Sequence, residues 1–219
     1  MINTRTSALI FVTALAVTSL VGCTGTSAPA STPSGGSTPS GMTSTPPTPT
    51  PTAEPRIEDP ADPGTWIIHE AGVGPIDVGG DFTSTLAGLT GSWTNDTANC
   101  SWSAWWMAAA SAYGISFVRG TESETAPIRE ISVYSAAETP AVVPGPVTED
   151  GLGIGATKAE VLAAYPDAQE GVSTMGSDTW LMLPSATDAH VFFAFRENSD
   201  TAWDVTVTTG AEPSYEVCG

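Results

Sequence analysis

Between Thr24 and Pro55 the chain is built almost wholly from Thr, Ser, Pro, Gly and Ala, and it carries no charge before Glu54. Such a segment cannot bury enough apolar surface to offset the entropy of ordering it, so it predicts a disordered tether. The stretch TPPTPTPTAEP, Thr45 to Pro55, leans to extended polyproline II. Fully extended at about 3.1 Å per residue the tether reaches on the order of 100 Å, and as a coil it averages nearer 30 Å. Its Thr/Pro density also suits O-glycosylation, as in mucin-like stalks. A fold must therefore come from Ile57 onward, where aromatic and β-branched residues begin and continue to Gly219. That remainder suits one domain, or two small halves sharing a sheet.

The segment before the tether gives an address. The chain opens MINTRTSALIFVTALAVTSLVGC, with Arg5 as a short positive region and an apolar run from Ala8 to Val21. That run matches a secretory h-region and is too short to span a bilayer. Its end, Leu20-Val21-Gly22-Cys23, resembles the bacterial lipobox, in which the cysteine is acylated and becomes the mature N-terminus. The resemblance implies a signal peptide over 1–22 and a lipidated Cys23 with its tether over 23–56. The folded part would then sit on the extracytoplasmic face of the cell membrane, with the bilayer as first partner. The alternative is an ordinary secretory signal with an incidental cysteine, but an unpaired thiol at the mature end of an exported protein is a liability. Each buried CH₂ of an acyl chain contributes about 0.8 kcal/mol, so stable anchoring takes more than one chain.

The formal charge is −18, and loss of the signal with its single Arg5 takes it to about −19. Lys158 is the only lysine. This balance argues against DNA, RNA or anionic headgroups as partners, all of which attract basic patches. Two cysteines remain, Cys100 and Cys218. In an oxidising compartment they read as one disulfide closing a loop of about 100 residues, worth roughly 4–5 kcal/mol in the chain-entropy model. The other reading is two free thiols. No histidine lies near either cysteine in sequence, so no metal site is predicted.

From Ile57 the chain reads as two similar halves: GVGPIDVGGDFTSTLAGLTG from Gly72 heads one and EDGLGIGATKAEVLAAYPDA from Glu149 heads the other. Asp77-Val78-Gly79 falls over Gly153-Ile154-Gly155, Leu86 over Leu162, and Phe117-Val118-Arg119 over Phe195-Arg196 with a small shift. Self-similarity at this length predicts a duplicated unit, with chance similarity of β-rich segments as the alternative. Each half opens with one helix. Thr157-Lys158-Ala159-Glu160 is a capping box, followed by the stripe Val161, Leu162, Tyr165 and a stop at Pro166. Phe82, Leu86 and Leu89 have helical spacing after Asp81, with Gly91 as a stop. The rest alternates as half-buried strands do. Val191, Phe193 and Phe195 share one face and Phe192, Ala194 and Arg196 the other. Trp203, Val205 and Val207 are placed inward, with Asp204, Thr206 and Thr208 outward. Ile131 and Val133 alternate with Glu130, Ser132 and Tyr134. The predicted fold class is α+β: two tandem repeats, 57–148 and 149–219, each a short helix packed on antiparallel β-sheet.

The glycine turn, then GIGATKAEVLAAYP, then strands, is similar to the helix-first repeat of the small outer-membrane assembly lipoproteins. It also resembles the tandem repeats of the beta-lactamase inhibitory protein family. The resemblance runs from about Gly72 to Ala211. It implies short helices on antiparallel sheet and, for the second family, binding of a target through an exposed, aromatic-rich sheet face. The chain departs from both families in its long Thr/Pro tether and in a first helix without the Glu-Val pair.

Catalytic patterns are sparse. The histidines, His69 and His190, are far apart, and no G-x-S-x-G, H-E-x-x-H or S-x-x-K occurs. His69-Glu70 reads as a strand end. Gly151-Leu-Gly-Ile-Gly155 mimics a phosphate loop but lacks the Gly-Lys-Ser/Thr ending, and a turn plus helix cap explains it. No catalytic residue, metal or cofactor is predicted. In CSWSAWWMAAA, Cys100, Trp102, Ala104 and Trp106 share one strand face, and Ser101, Ser103, Trp105 and Met107 the other. One set packs in the core. The other, Trp105 with Met107 and with Tyr134 nearby, is a candidate binding surface, since Trp is enriched in hot spots; otherwise a helix or the Ala136–Thr148 connection covers it. The predicted function is a non-catalytic domain engaging an envelope protein. The alternative is a small-ligand or glycan-binding lipoprotein with a Trp-lined cleft between the halves. A hydrolase would need His69 or His190 to meet a carboxylate and a hydroxyl in one cleft.

Overall fold

The alternating segments pair into sheet as their period requires. A computed structural model describes residues 57–109 and 112–218; the signal segment, Cys23 and the tether lie outside the described residues. After a 3₁₀ turn at Pro63–Thr65 come three short strands, β1 (Ile67–His69), β2 (Gly72–Val73) and β3 (Ile76–Asp77), and helix α1 (Phe82–Gly88). Strands β4 (Ser103–Met107), β5 (Tyr113–Arg119) and β6 (Ile128–Ser135) follow, then β7 (Val147–Thr148) and helix α2 (Lys158–Ala164). The chain closes with β8 (Gln169–Val172), β9 (Thr179–Met182), β10 (His190–Phe195) and β11 (Ala202–Thr208).

The fold is α+β with short helices, but the sheets are not divided one per half. β4-β5-β6-β11-β10-β9-β8 form a single seven-stranded antiparallel sheet, and β3-β2-β1-β7 form a second, four-stranded one. In the larger sheet β6 pairs with β11, Val133 opposite Val205 and Ile131 opposite Val207, so the two halves share one ladder. In the smaller sheet β7 runs parallel to β1. Of the arrangements open to the sequence, the two halves share a sheet.

Both helices start where a side chain can satisfy an amide that has no partner inside the helix. Asp81 accepts from Ser84 N–H at 2.7 Å. Thr157 Oγ1 accepts from Glu160 N–H at 3.2 Å while Glu160 Oε2 accepts from Thr157 N–H at 2.8 Å, the reciprocal capping box. Each helix fully buries one side chain, Phe82 or Val161. Leu162, placed on the apolar stripe by sequence, is instead 36% exposed.

Helices, small sheet and one face of the large sheet enclose a single core. It joins Trp66, Ile68 and Ile76 to Phe117, Ile131, Phe193, Phe195, Val205 and Val207. Burying each such side chain contributes about 1.5–3 kcal/mol. Phe82 packs at a tilt against Phe117 with ring centroids 5.0 Å apart, fixing α1 on the sheet.

One strand departs from its pattern. Ala194 pairs with Asp204 but Phe195 pairs with Ala202, leaving Trp203 as the surplus residue of a β-bulge. Ala202, Val205 and Val207 face the core, and Trp203 does not, which corrects its inward placement. A matching irregularity leaves Arg129 surplus, with Val118 opposite Glu130 and Arg119 opposite Ile128. The residue before each surplus position is tied to a glycine turn. Gly79 N–H donates to Ile128 O at 2.6 Å, and Gly155 N–H donates to Ala202 O at 2.9 Å. The two glycines have φ of +87° and +85°, a region L side chains adopt only with strain.

Candidate functional site

The large sheet's second face, turned away from the helices, can be read straight across the ladder. One row runs Met107, Gly114, Tyr134, Asp204, Ala194, Trp180, Gly171. The next runs Trp105, Ser116, Ser132, Thr206, Phe192, Met182, Gln169. Large side chains sit toward both edges and small polar ones in the middle.

At the β4 edge the three candidate binding residues share one face, with Met107 and Tyr134 in contact. A Cβ on Gly114 would fall 2.4 Å from the Tyr134 ring, so Tyr134 lies flat over the glycine. Its hydroxyl donates to Met107 Sδ at 3.3 Å. Burial raises the Tyr134 pKa and the charge of Asp204 adds to it, so the phenol stays protonated. Met107 is 36% exposed and Trp105 half-buried on the same face, while Trp106 packs against the core from the other. Trp105 also pairs by backbone with Thr94 at 2.8 and 2.9 Å, which partly covers this edge.

In the middle lies an acid cluster that sequence reading left on the surface. Asp204 is buried and accepts from Ser132 Oγ and Thr206 Oγ1, both at 2.5 Å. Burial pushes its pKa up to about 6 against the pull of those hydroxyls, and nearby Glu130 adds to the rise. Burial also raises the Glu130 pKa, opposed by hydrogen bonds from Ser214 and Thr208. An outward-facing Asp on an alternating strand gives no sign of burial. Glu130, on the same face, is held by a chain segment that lies far away in sequence.

That segment is the C-terminal strap. Beyond β11, Glu212 accepts from Thr174 N–H at 3.1 Å and from the Thr174 hydroxyl. Ser214 then donates N–H and Oγ to Glu130 Oε2, each at 3.1 Å. Val217 O accepts from Trp102 Nε1 at 2.6 Å, and Cys218 is bonded to Cys100 with Cα atoms 5.5 Å apart. The predicted disulfide is present and fastens the far end of the strap beside β4.

At the opposite edge a cavity of about 240 Å³ opens between strap and sheet. Trp180, Trp203, Arg196, Asp178, Met175 and Tyr215 are among its walls. All its lining residues belong to 149–219, so it is not a cleft between the halves.

Glu70, beside His69, meets Ser185 of the β9–β10 loop. Glu70 lies below the usual carboxylate range because Ala186 N–H and Ser185 Oγ donate to it, at 2.9 and 2.8 Å, with smaller effects from His69 and His190. Ser185 Oγ, whose one proton can go either to Glu70 or to Ala189 O at 2.6 Å, accepts from Thr187 N–H, closing the β9–β10 loop. Among the described residues neither imidazole hydrogen-bonds Ser185, so hydroxyl and base are not coupled. His69 Nδ1 instead accepts from Ala71 N–H at 3.2 Å at the end of β1. Among the described residues no group of three His, Cys, Asp or Glu is placed to hold a metal, and no helix is long and apolar enough to cross a membrane.

No protein-family model matches the chain, and no curated protein matches it. Among solved structures, the chain is similar to an extracellular protein containing a SCP domain from Bacillus anthracis, at 16% identity and a TM-score of 0.35. The similarity covers 73% of this chain and 49% of that one, so this chain spans about half of its length.

Proposed function

We propose that this chain is a lipid-anchored, extracytoplasmic interaction domain that acts without catalysis, using the sheet face turned away from its helices. The observation that carries the reading is the placing of Trp105, Met107 and Tyr134 on one face, with Met107 and Tyr134 in contact, beside a hydrogen-bonded polar middle. Aromatic and Met side chains presented on a rigid ladder are what a binding hot spot requires. The Leu20–Cys23 lipobox and the Cys100–Cys218 bridge support an oxidising, extracytoplasmic location. With a formal charge of −18, the partner is an envelope protein presenting a basic surface.

The finer architecture belongs to the same proposal. The chain is a duplicated unit, each copy running glycine turn, capped helix, then antiparallel strands with a surplus residue opening the last. The paired Gly79–Ile128 and Gly155–Ala202 bonds support it. So does the resemblance to the tandem repeats of the beta-lactamase inhibitory protein family. In-cell crosslinking of the lipidated protein, read by mass spectrometry beside a Trp105→Ala variant, tests the function. One dominant partner lost in the variant supports the reading; equal partners in both rule out this face.

A further inference from the structure

The cavity at the β9–β10 edge holds two opposite charges that do not pair with each other. Arg196 follows β10 and Asp178 precedes β9, and since Thr179 pairs with Phe195 the two flank the same end of the hairpin. Among the described residues the one ion pair is Lys158–Glu170, so Arg196 and Asp178 are not within ion-pair reach. Their known bonds are to backbone. Arg196 Nη1 donates to Glu138 O at 3.3 Å, and Asp178 Oδ1 accepts from Glu197 N–H at 3.0 Å. Both side chains keep further donor or acceptor capacity. The Arg196 guanidinium lies 5.0 Å from the centre of the Trp203 ring, which fixes it against an apolar wall. Met175 and Tyr215, 54% and 66% exposed, form the outer rim.

We propose that this cavity binds a free α-amino acid with an apolar or aromatic side chain, carboxylate on Arg196, ammonium on Asp178, and side chain among Trp180, Trp203 and Met175. Three arguments select that class. A cavity of about 240 Å³ is smaller than those that take drug-sized ligands and holds a single residue. A simple anion is repelled by a chain of charge −18, whereas a zwitterion has no net charge to repel. A sugar needs an open aromatic face, and one face of Trp203 already carries the guanidinium. The inference is independent of the interaction reading above, since none of its residues is Trp105, Met107 or Tyr134.

Calorimetric titration of the oxidised protein with L-phenylalanine and L-leucine tests it. N-acetyl-phenylalanine and phenylalaninamide serve as ligands lacking one charge each. Saturable binding of the free amino acids is expected, with each one-charge ligand about tenfold weaker or worse. Arg196→Gln weakens phenylalanine about tenfold and leaves phenylalaninamide unchanged; Asp178→Asn weakens phenylalanine and leaves N-acetyl-phenylalanine unchanged. Trp105→Ala binds as the parent does. No saturable heat to about 10 mM ligand, or equal binding of a one-charge ligand by the parent protein, overturns the proposal. The comparison of ligands needs no variant, so a misfolded variant does not protect it.

Discussion

Glu130 follows the surplus residue at the start of β6, and Asp204 follows the one at the start of β11. Both carboxylates are buried on the same sheet face, yet their partners differ. Asp204 is held by hydroxyls of the sheet itself, Ser132 and Thr206. Glu130 takes Ser214 from the strap beside Thr208 of the sheet, so part of its environment depends on the strap. The surplus residues differ as well: Arg129 is solvent-exposed, and Trp203 walls a cavity. The same backbone plan thus yields one half that fastens the tail and one that opens a pocket.

Four measurements break or sharpen this comparison, in falling order of effect. Cys100→Ser removes the fastening at the strap's end, and the bridge spans a separation of 118 residues. A loss of about 4–5 kcal/mol in urea unfolding is expected, with Glu130 becoming reactive to carboxyl modification before Asp204 does. Equal reactivity of the two acids would erase the distinction between them.

Gly79 and Gly155 share a positive φ but not a setting. A Cβ on Gly79 meets nothing within 4 Å, whereas one on Gly155 falls 2.3 Å from Val142 N and 2.4 Å from Ala141 C. Gly155→Ala is therefore expected to cost about 3 kcal/mol or more, and Gly79→Ala about 1 kcal/mol. Similar losses would mean that φ alone sets the cost.

Asp204 has a folded pKa of about 6 against an ordinary 3.8, so between those values the folded state binds more protons than the unfolded one. Its contribution to stability is therefore full below about pH 4 and is lost as pH rises through about 6, on the order of 2–3 kcal/mol. Unfolding at pH 4.5, 5.5 and 7 should show that slope in the parent and a flatter one in Asp204→Asn. An unchanged slope in the variant assigns it elsewhere. Smallest, Asp81→Ala and Thr157→Ala each remove one cap and are expected to cost about 1 kcal/mol. Thr157 should cost slightly more, because its box joins two bonds.

Local signals were the legible ones. Asp81 and the Thr157–Glu160 box mark both helix starts because a cap is a matter of neighbouring residues. Phe193, Phe195, Val205 and Val207 declare their face by alternation, and the two cysteines of the folded part declare their bond by their number. The outward turn of Trp203 is not legible because one extra residue breaks the period without changing composition. β2, β3 and β7 are two residues each, too short to show any period. The junction of β6 with β11 is a long-range choice that no window contains. The burial of Glu130 is not legible because its strap partner Ser214 lies far away in sequence, and the opposition of Arg196 and Asp178 is likewise visible only once β9 and β10 pair.

The bulge at Trp203 is in effect a change of parity. Up to that point the odd positions of the strand address one side and the even ones the other; past it the assignment flips. Were the count regular, the indole would lie with Val205 and Val207 in the interior, and Arg196 would have no ring to rest on. A single inserted residue thus turns a would-be core side chain into the wall of a recess, and deleting it would close the recess while leaving the ladder in phase.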